Sequence, residues 1–139
     1  MTMQLFLYGT LMGEADTAKG RWLHERVSQV QPATVPGVIY AIPSTQGWYP
    51  ALLRGPGRVR GVVAECALER RDVARLDRYE GHEYRRKAMR ARTADGTTVA
   101  QAWIWRGPLP KGAVAIADGD FLGWLANSGN AILNGRNGF

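Results

Sequence analysis

Leu76-Asp77-Arg78-Tyr79-Glu80-Gly81-His82-Glu83-Tyr84-Arg85-Arg86 is the stretch on which the fold of this chain turns. Just upstream, Val73, Leu76 and Tyr79 recur at the spacing of one helical face with charges between them, which predicts a helix over 69–79. Gly81 reads as its C-terminal stop. A basic strand is expected to follow over 84–93. Glu80 would then lie at the carbonyl end of a helix, where the macrodipole opposes a negative charge. A carboxylate disfavoured as an anion suits a proton shuttle, so Glu80 is the candidate catalytic group. The plainer alternative is a solvated helix-end carboxylate paired with Arg78 or Arg85.

Outward toward the amino end, Gln4-Leu5-Phe6-Leu7-Tyr8 is a short apolar run broken by Gly9-Thr10-Leu11-Met12-Gly13. This reads as a buried strand entering a tight glycine turn. Glycine allows close backbone approach to a ligand, and successive N–H groups in a turn form an anion-binding concavity. Between the two motifs, the segment 47–65 holds two strand-like runs on either side of Gly55-Pro56-Gly57 and reads as a hairpin entered through Trp48-Tyr49-Pro50.

Taken in order, Tyr8-Gly9-Thr10-Leu11, Tyr49-Pro50-Ala51-Leu52, the 55–65 hairpin, and Leu76-Asp77-Arg78-Tyr79-Glu80-Gly81 followed by Tyr84-Arg85-Arg86 resemble the gamma-glutamylcyclotransferase-like superfamily. That superfamily includes the gamma-glutamylamine cyclotransferases and the AIG2-like proteins. A weaker match continues through Ala102-Trp103-Ile104-Trp105 and Ile116-Ala117-Asp118-Gly119-Asp120-Phe121, so the resemblance spans about Leu5 to Trp124. It implies a small barrel-like fold and a cofactor-independent reaction in which a gamma-glutamyl amide closes on itself, releasing 5-oxoproline and a free amine. It also implies that the turn Tyr8, Gly9, Thr10 and Leu11 holds the substrate's alpha-carboxylate through backbone amides, that Glu80 is general acid and base, and that Tyr49 and Pro50 line the pocket. Tyr84 is read as a further pocket residue that hydrogen-bonds substrate, the plainer alternative being a tyrosine that caps the core with its hydroxyl at the surface. Trp103 and Trp105 stand where many relatives carry tyrosines, which removes a potential hydroxyl donor.

The rest of the chain bounds these expectations. Its 139 residues suit one domain, taken as 1–126, with an Asn- and Gly-rich tail over 127–139. The expected class is α+β: a small mixed barrel-like sheet with two or three helices packed outside. Strands are expected over 4–8, 35–42, 51–54, 58–68, 84–93 and 97–105, with the last two joined by the Asp-Gly turn Ala94-Asp95-Gly96. Helices are expected over 14–30, with Trp22, Leu23 and Val27 inward, over 69–79, and over 120–126.

The single cysteine, Cys66, sits in an apolar run and reads as a buried inert thiol in a cytoplasmic protein. The two histidines, His24 and His82, lack metal-ligand spacing, so no metal site is expected. No phosphate-binding loop or dinucleotide fingerprint occurs, and no cofactor is expected. The amino-terminal apolar run is too short for a signal peptide or a membrane span. The net charge of +6, concentrated in Arg85, Arg86, Lys87, Arg90 and Arg92, supports a second reading as a binding domain for a small acid or nucleic-acid phosphate. No recognition motif accompanies that charge, so nucleic acid ranks below a small gamma-glutamyl substrate as partner. Glu83 is the rival acid, although a partner for the neighbouring arginines is its plainer use. The sequence specifies neither the amine leaving group nor the oligomeric state.

Overall fold

A computed structural model describes residues 2–9 and 18–129. In chain order the elements are β1 (Thr2–Leu7), α1 (Ala18–His24), β2 (Val27–Ser44), β3 (Gly47–Ala67), α2 (Arg70–Glu80), β4 (Tyr84–Thr93), β5 (Gly96–Trp105), β6 (Val114–Ala115) and α3 (Phe121–Ser128). The strands form one mixed sheet in the order β3-β1-β5-β4-β2-β6, and β3 also pairs with β2, so five strands close into a ring with β6 added to β2. Two joints of the ring are narrow. β1 meets β5 in parallel at Leu5 and Gln101, and β2 meets β4 at Thr34 and Arg92.

Because side chains alternate along a strand, a strand covered on both sides feeds two cores. Phe6 of β1 and Tyr8 just beyond its end join Val35, Leu52, Val59, Ala102 and Ile104 in a cluster drawn from several ring strands. Leu5 and Leu7 join Leu76 and Tyr79 of α2, with Trp103 and Trp105, in a second cluster. Helix α2 thus packs on the outer face of the sheet beside β1 and β5. Helix α3 starts at Asp120, whose carboxylate accepts the Gly123 N–H at 3.0 Å, and sends Phe121 and Leu125 into the inner cluster.

The mixed α+β architecture, α2 and the β4–β5 hairpin agree with the sequence. Thr93 pairs with Gly96, whose φ of +119° is a left-handed conformation suited to glycine. Two expectations are corrected. The Gly55-Pro56-Gly57 segment is not a hairpin turn but a bulge within the single strand β3, and the reversal lies between Ser44 and Gly47 instead. Its cause is nonlocal: Leu53 pairs with Val38 and Arg58 with Pro36, so the residues between 53 and 58 bow out opposite Gly37. The close approach there excludes side chains, since a Cβ on Gly55 would lie 2.8 Å from Val38 Cγ1.

The second correction is to the helix over 14–30. Within the described part it is confined to Ala18–His24, while Val27 begins β2 and pairs with Cys66. From Val27 onward a partner strand offers a full ladder, and tertiary pairing overrides a helical pattern. Helix α3 runs from Phe121 to Ser128 and is capped by Gly129. Residues 130–139 lie outside the described residues.

Candidate active site

The corner that carries Glu80 is built by local chemistry. Val73, Leu76 and Tyr79 bury one face of α2, and the Asp72 carboxylate accepts the Glu69 N–H at 2.9 Å at the helix start. Gly81 ends the helix at φ +91°, with its N–H donating to the Asp77 carbonyl at 3.0 Å. The Tyr84 N–H then donates to the Gly81 carbonyl at 3.2 Å, which turns the chain into β4. Glu80 is therefore the last helical residue, half-buried where α2 meets the sheet.

Tyrosines surround this carboxylate. Burial pushes the Tyr84 phenol well above the usual tyrosine range, and electrostatic interaction with the neighbouring tyrosines and the Glu80 carboxylate adds to it. Tyr8 is raised first by burial and then by Glu80, with a hydrogen bond from the Leu52 backbone acting against them. Both phenols stay neutral at physiological pH, and both donate to main-chain carbonyls: Tyr8 to Trp103, and Tyr84 to Pro50 at 2.5 Å. Their rings serve as walls, while their hydroxyl protons are tied to the scaffold. Tyr84 stands edge-on to Trp105 with centroids 5.2 Å apart, and Tyr49 lies 6.3 Å from the same indole.

Gly9 meets the Tyr49-Pro50 segment directly. A Cβ at Gly9 would lie 2.5 Å from Pro50 Cγ, so the backbone at Gly9 rests against the proline ring. Tyr8, Gly9, Tyr49, Pro50, Glu80 and Tyr84 are thus gathered from three distant parts of the sequence. Thr10 and Leu11 lie outside the described residues.

Other polar and titratable side chains have defined scaffold contacts. Glu65 lies on β3 beside Gln4, Gln29 and Thr98, where its carboxylate accepts the Ser28 hydroxyl at 3.2 Å. At Glu83, the rival acid, the main-chain carbonyl accepts the Arg106 N–H at 2.7 Å, which joins the start of β4 to the end of β5. The indole of Trp103 donates to Asp77 at 2.8 Å, and that of Trp105 to the Pro108 carbonyl at 3.3 Å. Cys66 is fully buried, and desolvation, with Glu65 adding to it, pushes its thiol up to about 12. Among the described residues no cluster of His, Cys, Asp and Glu could hold a metal ion, and no helix is long and apolar enough to cross a membrane.

One residue of this neighbourhood escaped the sequence reading. Lys19 is only 1% exposed and is the one charged side chain in the core among the described residues. Its ammonium lies 4.8 Å from the Tyr79 ring centroid and 5.4 Å from that of Trp22. Desolvation, with Arg75 next in effect, lowers its pKa to about 7, while Glu80 opposes the fall. Its only sequence signal is an i,i+4 relation to the buried Leu23.

Residues 5–124 match the family described as gamma-glutamyl cyclotransferase, AIG2-like. No curated protein sequence matches the chain. Among solved structures, YkqA from Bacillus subtilis superposes with a TM-score of 0.70 at 19% identity, covering 93% of this chain and 43% of that one. The chain therefore spans less than half the length of that relative. A structure named gamma-glutamyl cyclotransferase gives 0.59 at 17% identity over 98% of this chain and 90% of its own. An AIG2-like protein from Mus musculus gives 0.60 at 19% identity, covering 78% and 84% of the two chains. At these identities the superpositions show a shared fold.

Proposed function

The chain belongs to the gamma-glutamyl cyclotransferase, AIG2-like family, and we propose that it cyclises a small gamma-glutamyl amide to 5-oxoproline and a free amine. The observation that carries this reading is the convergence of Glu80, the Tyr8-Gly9 turn and Tyr49-Pro50 at one corner of the fold. In the proposed reaction the substrate's alpha-carboxylate is held by the backbone amides that begin at Tyr8 and Gly9 and continue through Thr10 and Leu11. Glu80 takes a proton from the alpha-ammonium, and the freed amine attacks the gamma-carbonyl carbon. The new C–N bond closes a five-membered ring, Glu80 delivers its proton to the leaving nitrogen as the bond to that nitrogen breaks, and the surplus proton on the ring nitrogen passes by way of Glu80 to the released amine, which leaves as its ammonium.

No enzyme nucleophile, metal or cofactor enters this scheme, because the attacking group and the leaving group belong to one molecule. The protein supplies positioned proton transfer, worth about 10²- to 10⁴-fold, and restraint of the chain in a ring-closing shape, worth up to about 7 to 11 kcal/mol. Tyr49, Pro50 and Tyr84 would wall the cavity, and two neutral phenols beside Glu80 leave that carboxylate as the proton carrier. The buried Cys66 thiol is compatible with a cytoplasmic setting.

A mass-spectrometric screen for 5-oxoproline release from gamma-glutamyl amines, gamma-glutamyl dipeptides and glutathione tests the proposal. Release by the wild type and not by Glu80→Gln is the expected result. Silence of the folded wild type across the whole panel would remove the cyclotransferase reading.

A further inference from the structure

Beside the corner that carries Glu80 lies an open groove of about 800 Å³ whose walls include Arg78, Arg85, Arg86 and Arg106. Its one carboxylate among the described residues, Asp77, is already engaged, accepting from Arg86 at 3.1 Å and from the Trp103 indole at 2.8 Å. Neither Glu80 nor Glu83 lines it. Arg78, Arg85 and Arg106 make no ion pair or side-chain hydrogen bond among the described residues, and all three are exposed. Three guanidinium groups without carboxylate partners around one concavity repel one another and are poised to receive negative charge. Each offers a planar fork that matches the two oxygens of a carboxylate or phosphate.

We propose that this groove binds a multiply charged oxyanion, a small molecule bearing carboxylate or phosphate groups. The volume falls within the range of about 300 to 1,000 Å³ usual for small-ligand sites. A nucleic-acid surface would instead engage the rest of the basic strand, but Lys87, Arg90 and Arg92 do not line the groove. The oxyanion has two candidate sources. Gly81 and Tyr84 border the groove as well as the Glu80 corner, so the anion can be the amine half of the substrate, an arm that rests on the proposed cyclotransferase reaction. The other source is a separate small polyanion.

Calorimetric binding in the Glu80→Gln background distinguishes these without requiring turnover. The probes are gamma-glutamylglutamate, gamma-glutamylalanine and pyrophosphate, tested against the parent protein, an Arg85→Ala/Arg106→Ala double variant, and Arg90→Ala as a basic residue of the same strand outside the groove. Loss of two charge-assisted contacts should weaken an anionic probe about tenfold or more. If gamma-glutamylglutamate binds better than gamma-glutamylalanine and only the double variant erases the difference, the groove holds the acidic amine half of the substrate. If pyrophosphate binding alone is lost in the double variant, the ligand is a separate anion. The inference is overturned if no anionic probe binds, or if Arg90→Ala weakens binding as much as the double variant. It is likewise overturned if a DNA duplex binds while the small anions do not. Failure of the wild type to release 5-oxoproline would remove the cyclotransferase reading and leave the pyrophosphate result standing.

Discussion

Gly9 rests on Pro50: a Cβ added to the glycine would fall 2.5 Å from the proline Cγ, closer than carbon atoms approach in folded proteins. This contact ties the turn after β1 to β3, two segments that meet only in the folded molecule. Replacement of Gly9 by valine should therefore cost about 1 to 3 kcal/mol through overpacking, and should raise KM for a gamma-glutamyl amide by displacing the turn. Pro50→Ala in the Gly9→Val background should restore part of both losses, since it removes the opposing ring atoms. Denaturant unfolding with steady-state kinetics over the double-mutant cycle checks this, and an unaltered KM in Gly9→Val would show the turn to be purely structural.

Glu80→Gln keeps the shape of the side chain and removes its ability to carry a proton. Turnover should fall by about 10²- to 10⁴-fold or become undetectable while the melting temperature barely moves. Retained 5-oxoproline release would take Glu80 out of the mechanism.

Tyr84→Phe separates a wall from a donor. Its hydroxyl donates to the Pro50 carbonyl at 2.5 Å, so the variant should lose about 1 kcal/mol of stability with kcat nearly unchanged. A large fall in kcat at unchanged stability would instead assign that hydroxyl to the substrate.

Lys19 should make stability rise with pH. Its pKa is lowered from 10.5 to about 7 in the folded protein, chiefly by desolvation. Below about 7 both states bind the proton and the full penalty of burying the charge is present. Between there and 10.5 only the unfolded chain binds it, so stability increases as pH rises through that window and levels off above it. Lys19→Met should flatten this part of the profile, as followed by urea unfolding across the pH range. An unchanged slope would place the ammonium in contact with water.

Cys66 should be silent toward thiol reagents in the native protein, being fully buried with its thiol pushed up to about 12. Modification by iodoacetamide should require denaturant, and rapid native labelling would contradict the burial.

The parts that could be read from the sequence share one property: their signals are local. The face formed by Val73, Leu76 and Tyr79, the stop at Gly81 and the turn after Thr93 each arise within about one or two turns of chain, where spacing and φ preference decide the outcome. The bulge in β3 was misread because Gly-Pro-Gly is chemically a turn, and only the pairing of β3 with β2 on both sides of Gly37 keeps the strand continuous. Val27 went to a strand rather than a helix for the same reason, since the partner that claims it is Cys66.

The sequence by itself determined the mixed class of the fold, the helix that delivers Glu80 and the basic strand that follows it. It also carried, as ordered motifs, the residues proposed for the site, but not the neighbouring Lys19. Tertiary structure alone decided that Gly9 would meet Pro50, that the Tyr8 and Tyr84 hydroxyls would bond to carbonyls on other strands, and that Lys19 would be buried near Glu80. It alone also gathered Arg78, Arg85 and Arg106 around one groove. The physical reason is range. Helix period and turn chemistry act between near neighbours, whereas closure of a strand ring sets which distant side chains share a volume, and with it their solvation and charge.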